Sequence, residues 1–167
     1  MANSYFQFRQ FTIYQDQCAM KVTTDGCLFG AWVARELHEE NKESQQYLDI
    51  GAGTGLLPLM IIQQNPECRF DAIEIDAPAY KQALSNITAA GRGGSVQLVH
   101  GDIHSFNPGK KYDCIISNPP FYEKELKGDN TRKNIAHHNE GLLLPDLLKR
   151  CGELLKEEGT FYLLLPY

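Results

Sequence analysis

The sequence lacks the features that mark membrane and secreted proteins. No apolar run in its 167 residues approaches the roughly 20 residues that a membrane-spanning helix needs. The first residues also lack the basic and then apolar segments of a secretory signal. The five cysteines are scattered and include no Cys-x-x-Cys pair, so they predict neither a disulfide framework nor a zinc site. We therefore expect a cytoplasmic protein with reduced thiols and no bound metal.

Positive charge is also scarce. The chain has 16 Lys and Arg residues against 21 Asp and Glu, a net charge of −5, and this argues mildly against a nucleic-acid partner. A local basic patch can still lie on an acidic domain. One cluster of basic residues and histidines fits that description, although a solvated loop would look the same: Lys124, Lys127, Arg132, Lys133, His137 and His138.

The hydrophobic pattern predicts a single α/β domain. Strands are expected at Tyr47–Ile50, Phe70–Ile75, Val96–His100, Tyr112–Ser117 and Thr160–Leu165. Helices are expected at about Gly55–Gln64, Ala77–Ala90 and Leu143–Lys156. This alternation implies right-handed crossovers, and therefore a Rossmann-like, mostly parallel sheet with helices on both faces.

A further helix is predicted ahead of this alternation, from Asp25 to about Glu40. Asp25 is a plausible N-cap, whereas residues 1–24 show no clean periodicity. The apolar face of the helix would consist of Leu28, Phe29, Trp32, Val33 and Leu37. We expect a single domain, in which residues 1–40 form a segment that covers the bound ligands and residues 46–167 form the core. Because the chain stops directly after a predicted strand, we also expect C-terminal strands to be missing.

A glycine-rich loop joins the first predicted strand of the core to the next helix. Its sequence is Leu48-Asp49-Ile50-Gly51-Ala52-Gly53-Thr54-Gly55, and its glycines let the backbone turn tightly and approach a ligand. The dinucleotide fingerprint Gly-x-Gly-x-x-Gly would need glycine where Leu56 stands. The spacing therefore favours a nucleoside with little phosphate and disfavours a dehydrogenase.

Acidic residues at the ends of the next two strands fit the same ligand. Glu74 can accept hydrogen bonds from both ribose hydroxyls, and Asp102 can accept one from an adenine amino group. Asp76 competes with Glu74, but it reads better as the N-cap of the following helix. Each acid alone could be a surface cap; polar groups at three successive strand ends favour a nucleoside site.

The turn Asn118-Pro119-Pro120-Phe121 follows the fourth strand of the core. Its prolines end the strand and force Asn118 out of the α region. An amide, a free carbonyl and an aromatic ring are thereby held where open α/β sheets bind ligands. The set suits a flat substrate with an amino or amide nitrogen, although a simple turn with a core Phe remains the alternative.

Together these motifs resemble the class I S-adenosylmethionine-dependent methyltransferases, and the turn resembles their amino-methylating motif. The resemblance implies S-adenosyl-L-methionine as cofactor, S-adenosyl-L-homocysteine as product, and adenine N6, cytosine N4 or a glutamine amide as target. It implies two sets of site residues. The catalytic set is Asn118, Pro119, Pro120 and Phe121; the cofactor set is Asp49, Gly51, Gly53, Gly55, Glu74, Asp102 and Asn118.

The N-terminal sequence adds a narrower resemblance. Residues 8–13 and 18–26, continuing into 28–32, resemble the bacterial tRNA1(Val) adenine-N6 methyltransferase family, which modifies the adenine beside the anticodon of a valine tRNA. The resemblance implies tRNA as partner and adds Thr24 and Asp25 to the cofactor set. We expect Phe121, Tyr122 and Arg132 to contact the substrate. The chain departs from the family at Phe121, more often Tyr, and at His137, where an arginine is expected.

The implied mechanism relies on positioning rather than acid–base chemistry. The Asn118 side-chain oxygen and the Pro119 carbonyl would accept hydrogen bonds from the target amino group while Phe121 stacks on the base. No general base is assigned, and the histidines are left without a role. Two alternatives stay open: a protein glutamine-amide methyltransferase, and a non-catalytic module that binds cofactor or RNA.

Overall fold

The computed structural model describes residues 3–40, 45–119 and 143–165. The strands are β1 (Tyr5–Gln7), β2 (Thr12–Tyr14), β3 (Gln46–Ile50), β4 (Arg69–Glu74), β5 (Val96–His100), β6 (Tyr112–Ser117) and β7 (Leu155–Leu163). The helices are α1 (Thr24–Glu40), α2 (Leu56–Gln64), α3 (Ala77–Ala89) and α4 (Leu144–Leu154). The strands and helices from β3 onward alternate as the sequence predicted.

Five strands form a single parallel sheet in the order β5-β4-β3-β6-β7. Ile50 lies opposite Ile73 on one side and Ser117 on the other, and Glu74 lies opposite His100. The carboxyl ends of these four strands therefore meet at one edge of the sheet, here called the carboxyl edge. The parallel pairing confirms the predicted α/β class.

Helices cover both faces of the sheet because both faces are apolar. On one face Tyr47, Phe70 and Ile116 pack in a cluster with residues of α1, α2 and α3. On the other face Leu48 and Ile115 pack with residues of α4. Burial of β3 on both sides is typical of parallel strands in α/β proteins, and it fixes the end of β3 against its neighbours.

Helix α1 differs from the prediction in its cap and its buried face. Asp25 is not the N-cap, because α1 begins at Thr24 and the Oγ1 atom of Thr23 accepts the Gly26 N–H at 3.1 Å. Phe29, Val33 and Leu37 are buried as predicted, whereas Leu28 and Trp32, predicted on the same face, are 65% and 50% exposed. The buried face instead includes Gly30, where a Cβ atom would lie 2.7 Å from Met60 Sδ. Close contact with α2 thus selects the face with small residues.

Two predicted boundaries near the C-terminus are wrong, the N-terminal hairpin was not predicted, and one helix cap is confirmed. The C-terminal strand begins at Leu155 rather than Thr160, and α4 ends at Leu154 rather than Lys156. The antiparallel hairpin of β1 and β2 was not predicted at all. Asp76 is the N-cap of α3 as expected, since its side chain accepts the Ala79 N–H at 3.0 Å.

Within the described ranges, no helix combines the length and apolar character needed to cross a membrane. The same ranges contain no group of three or more His, Cys, Asp or Glu residues arranged to hold a metal ion. The five cysteines, all within the described ranges, form no disulfide bond.

Candidate active site

The glycine loop forms an open cradle at the carboxyl edge. Gly51, Gly53 and Gly55 adopt φ values of 79°, 53° and 78°, a region that side chains with a Cβ atom disfavour. The Gly51 and Ala52 N–H groups both donate to the Ile73 carbonyl, at 2.9 and 3.1 Å. A Cβ atom on Gly51 would meet nothing within 4 Å. The loop is therefore anchored to β4 below and leaves room for a ligand above.

Glu74 bonds directly to this loop. One carboxylate oxygen accepts the Gly53 N–H at 2.7 Å and the other accepts the Asp76 N–H at 2.8 Å. The residue is buried, so these bonds fix its orientation. Each carboxylate oxygen has a further lone pair. Glu74 can therefore hold the loop and still accept hydrogen bonds from two adjacent ligand hydroxyls.

Asp49 lies directly beneath the cradle and has an unmet bonding requirement. It is 1% exposed, and its Oδ1 atom has no hydrogen-bond partner among the described residues. Burial, together with the nearby charge of Glu74, raises the pKa of Asp49 to about 8. Buried polar atoms normally have partners. A buried carboxyl group with an unpartnered oxygen fits a ligand that brings a hydrogen-bond donor or a positive charge, such as the amino group of S-adenosylmethionine.

Asp102 lies on the same edge but is engaged in its own turn. Its Oδ1 atom accepts the His104 N–H at 2.9 Å, and the Ser105 hydroxyl donates to its carbonyl at 3.1 Å. The preceding Gly101 N–H donates to the Glu74 carbonyl at 3.0 Å, which brings the ends of β4 and β5 together. The proposed contact between Asp102 and adenine stays a prediction.

Asn118 lies where three elements meet. The buried Ser117 hydroxyl donates to the Ile50 carbonyl at 2.7 Å and ties the ends of β6 and β3 together. Asn118 itself is half-buried and Pro119 is buried. A Cβ atom on Gly26 would lie 3.7 Å from Asn118 Nδ2 and 3.8 Å from Leu56 Cδ2. The first turn of α1, the start of α2 and Asn118 are therefore neighbours.

Thr24 and Asp25, predicted as cofactor residues, are exposed on that same first turn of α1. Their contact with a cofactor stays a prediction. The remaining predicted residues lie outside the described part of the chain: Pro120, Phe121, Tyr122 and Arg132, together with the rest of the basic cluster.

Two features of the site were not predicted from the sequence: the segment that follows β2, and Asn86 on α3. The segment that follows β2 brings Cys18 near the carboxylates of Glu74 and Asp76; burial, and then these two charges, raise the pKa of Cys18 to about 11. Asn86 is fully buried on α3 and donates to the Thr54 carbonyl in the glycine loop at 2.9 Å. A signal was available for the second, since Asn86 shares the buried face of α3 with Ala83 and Ile87.

Several methyltransferases of known structure share this fold. A methyltransferase from Agrobacterium tumefaciens matches with a TM-score of 0.69 at 16% identity, over 98% of this chain and 53% of that one. One from Thiobacillus denitrificans, in complex with S-adenosyl-L-homocysteine, matches with a TM-score of 0.61 at 16% identity, over 87% of this chain and 51% of that one. The fold is that of S-adenosylmethionine-dependent methyltransferases.

Sequence comparison narrows this class to a family. The family model described as methyltransferase small domain matches residues 31–164. Relatives named tRNA1(Val) (adenine(37)-N6)-methyltransferase are 45% identical in Dyadobacter fermentans over 98% of this chain, and 43% identical in Parabacteroides distasonis over 100% of it. The chain belongs to the methyltransferase small domain family and, within it, to the family of these relatives. It spans 66% and 68% of their lengths.

Proposed function

We propose that this protein transfers a methyl group from S-adenosylmethionine to the N6 amino group of an adenine in tRNA, beside the anticodon of a valine tRNA. Membership of the family supports the reaction and the substrate. The observation that carries the proposal is the position of Asn118, which lies at the carboxyl edge against the start of α2 and the first turn of α1.

The glycine loop and its two acids are proposed to hold the cofactor. Gly51 leaves open space beside the loop, and Glu74 would accept hydrogen bonds from the ribose hydroxyls. Asp49 would meet the amino group of the methionine part, which would give its buried Oδ1 atom a partner. When bound, S-adenosylmethionine supplies an electrophilic methyl group on a sulfonium.

The turn after β6 is proposed to present the substrate. The Asn118 side-chain oxygen and the Pro119 carbonyl would accept hydrogen bonds from the two N–H groups of the adenine amino group. These bonds would favour a more tetrahedral nitrogen, whose lone pair is less delocalised into the ring. Phe121 would stack on the base, a contact worth about 1–3 kcal/mol. An anticodon-loop base is already partly unstacked, so its extrusion costs less than from a duplex.

No residue is assigned as a general base. The amino nitrogen becomes strongly acidic once it carries the additional methyl group, so its proton can pass to water. The work of the protein in this account is to orient two ligands and exclude competing geometries.

The first prediction concerns Asn118→Ala. Loss of the amide removes one acceptor from the amino group, and we expect the single-turnover rate of methyl transfer to tRNA to fall at least tenfold, about 1.4 kcal/mol in barrier. Asn107→Ala, in the exposed loop after β5, is the matched control and should leave the rate unchanged. A fall of less than tenfold would show that Asn118 does not have this role.

The two alternative functions predict different experimental results. A glutamine-amide methyltransferase would label a release factor in preference to tRNA. A non-catalytic module would bind S-adenosylmethionine in calorimetry without transferring its methyl group. The names of the relatives favour the tRNA reading, and no observation on the described residues favours either alternative.

A further inference from the structure

The buried amide of Asn86 joins two parts of the molecule that are distant in sequence. Its Nδ2 atom donates to the Thr54 carbonyl at 2.9 Å and to the Tyr14 carbonyl at 2.8 Å. Its Oδ1 atom accepts the Tyr14 N–H at 3.0 Å. Asn86 is 0% exposed, so water does not compete for these bonds. One side chain thus bridges the N-terminal hairpin and the glycine loop.

The chemistry of the three partners requires an amide at this position. The Tyr14 N–H can only donate, which fixes the amide oxygen, and the two carbonyls can only accept, which fixes the amide nitrogen. An aspartate at the same position would offer no donor when ionised. The longer glutamine would displace the amide by one methylene. An alanine would leave the Thr54 and Tyr14 carbonyls without this donor, and the loss of the buried bond to Thr54 in particular is costly.

Neighbouring residues of α3 hold the same two parts separately. A Cβ atom on Gly55 would lie 3.4 Å from Ile87 and 3.5 Å from Ala83, so α3 supports the end of the glycine loop by packing. One turn earlier, the Gln82 side chain accepts the Gln17 N–H at 3.3 Å, a hydrogen bond to the N-terminal segment. Among these residues Asn86 bonds to both parts, and Gln82 is a natural control.

We propose that Asn86 is a positioning residue for the cofactor site. By holding the Thr54 carbonyl it fixes the turn from Gly53 to Gly55, and by pairing with Tyr14 it makes docking of the hairpin and the shape of the loop interdependent. A ligand that orders the loop must then also stabilise the docked hairpin, because coupling between two sites is reciprocal. The identity of that ligand rests on the proposed function; the coupling itself does not.

Calorimetry with S-adenosyl-L-homocysteine tests the role in binding. We expect Asn86→Asp and Asn86→Ala to raise Kd at least tenfold, and Gln82→Ala to change it less than twofold. The control separates positioning of the loop from general loosening of the N-terminal segment. An Asn86 variant that is folded and binds within twofold of the wild type would overturn the proposal.

Hydrogen exchange tests the coupling without any ligand. We expect Asn86→Ala to speed exchange at least tenfold in both residues 12–14 and residues 51–55, whereas Gln82→Ala leaves 51–55 unchanged. Faster exchange in only one segment would overturn the coupling. If the Asn86 variants do not fold, the test is hydrogen exchange of wild-type protein with saturating S-adenosyl-L-homocysteine. We expect the ligand to slow exchange in residues 12–14 as well as in 51–55. Slower exchange in 51–55 alone would contradict the proposal. Wild-type protein that fails to bind S-adenosyl-L-homocysteine would instead contradict the proposed function. Hydrogen exchange of the Asn86 and Gln82 variants without ligand would still test the role of Asn86.

Discussion

A buried carboxyl group whose pKa is raised makes the stability of a protein depend on pH. Asp49 is such a group, and its pKa is raised to about 8 by burial and by the charge of Glu74. In the unfolded chain an aspartate has a pKa of about 3.9. Between these values the folded state keeps a proton that the unfolded state has released, so the free energy of unfolding falls as pH rises from about 4 to about 8.

Asn at position 49 should remove this dependence. We predict that Asp49→Asn stabilises the protein more at pH 8 than at pH 5, with the gain growing by at least about 2 kcal/mol between them, because one proton per molecule accounts for about 1.4 kcal/mol per pH unit. Urea unfolding at both pH values measures this. The exposed Asp16→Asn serves as control and should show no such growth. A difference that is flat with pH would mean that Asp49 is ionised in the folded protein.

Among the structural elements, the glycine loop begins at a residue whose backbone conformation matters more than packing, since a Cβ atom on Gly51 would meet nothing within 4 Å. Gly51 and Gly91 offer a matched comparison, since their φ values are 79° and 69° and a Cβ atom on either would meet nothing within 4 Å. Gly51 lies in the loop and Gly91 follows α3. The two positions therefore carry a similar conformational cost but only one of them lies at the candidate site.

We predict that Gly51→Ala and Gly91→Ala each lower the free energy of unfolding by about 1–2 kcal/mol, the cost of a left-handed conformation for a residue with a Cβ atom. Only Gly51→Ala should weaken S-adenosyl-L-homocysteine binding, at least tenfold, because the added methyl group enters the space above the loop. Denaturation and calorimetry on both variants test this. Equal binding by the two would place the ligand elsewhere.

The core elements could be predicted because their signals are local. β5 and β6 begin and end at the predicted residues, since each is a short apolar run bounded by polar or glycine positions. The glycine loop and Glu74 were found through their spacing, and the structure joins them through the Gly53 N–H. Parallel pairing then brings these strand ends to one edge without further information from the sequence.

What could not be predicted depends on contacts between distant residues. The strands β1 and β2 are three residues each, too short for a periodic signal, and the Asn86 amide, which pairs with Tyr14, helps to hold β2 in place. In α1 the exposed positions of Leu28 and Trp32 follow from the close approach of α2 at Gly30. The charged residues after Leu155 look helical but lie in β7, between Leu155 and Thr160, which lie opposite Tyr112 and Cys114 of β6 across a shift in register.

At the scale of the whole molecule, charge is the feature that the proposed substrate must overcome. A net charge of −5 opposes approach to RNA, since phosphate contacts dominate such binding. The proposed function therefore needs a local patch of positive charge. The sequence offers Arg132 and its neighbours after the turn, whose structure lies outside the described residues, and their contact with tRNA stays a prediction.

In the proposed function, the carboxyl edge of the sheet methylates the amino group of an adenine in tRNA. The most direct measurement is nucleoside mass spectrometry of an unmodified valine tRNA transcript after incubation with the protein and S-adenosylmethionine. A transcript with guanine in place of the adenine beside the anticodon, and a release factor, serve as parallel substrates. We predict N6-methyladenine in the unmodified valine tRNA transcript alone. Methyl transfer to the release factor, or none to tRNA by protein that binds the cofactor, would contradict it.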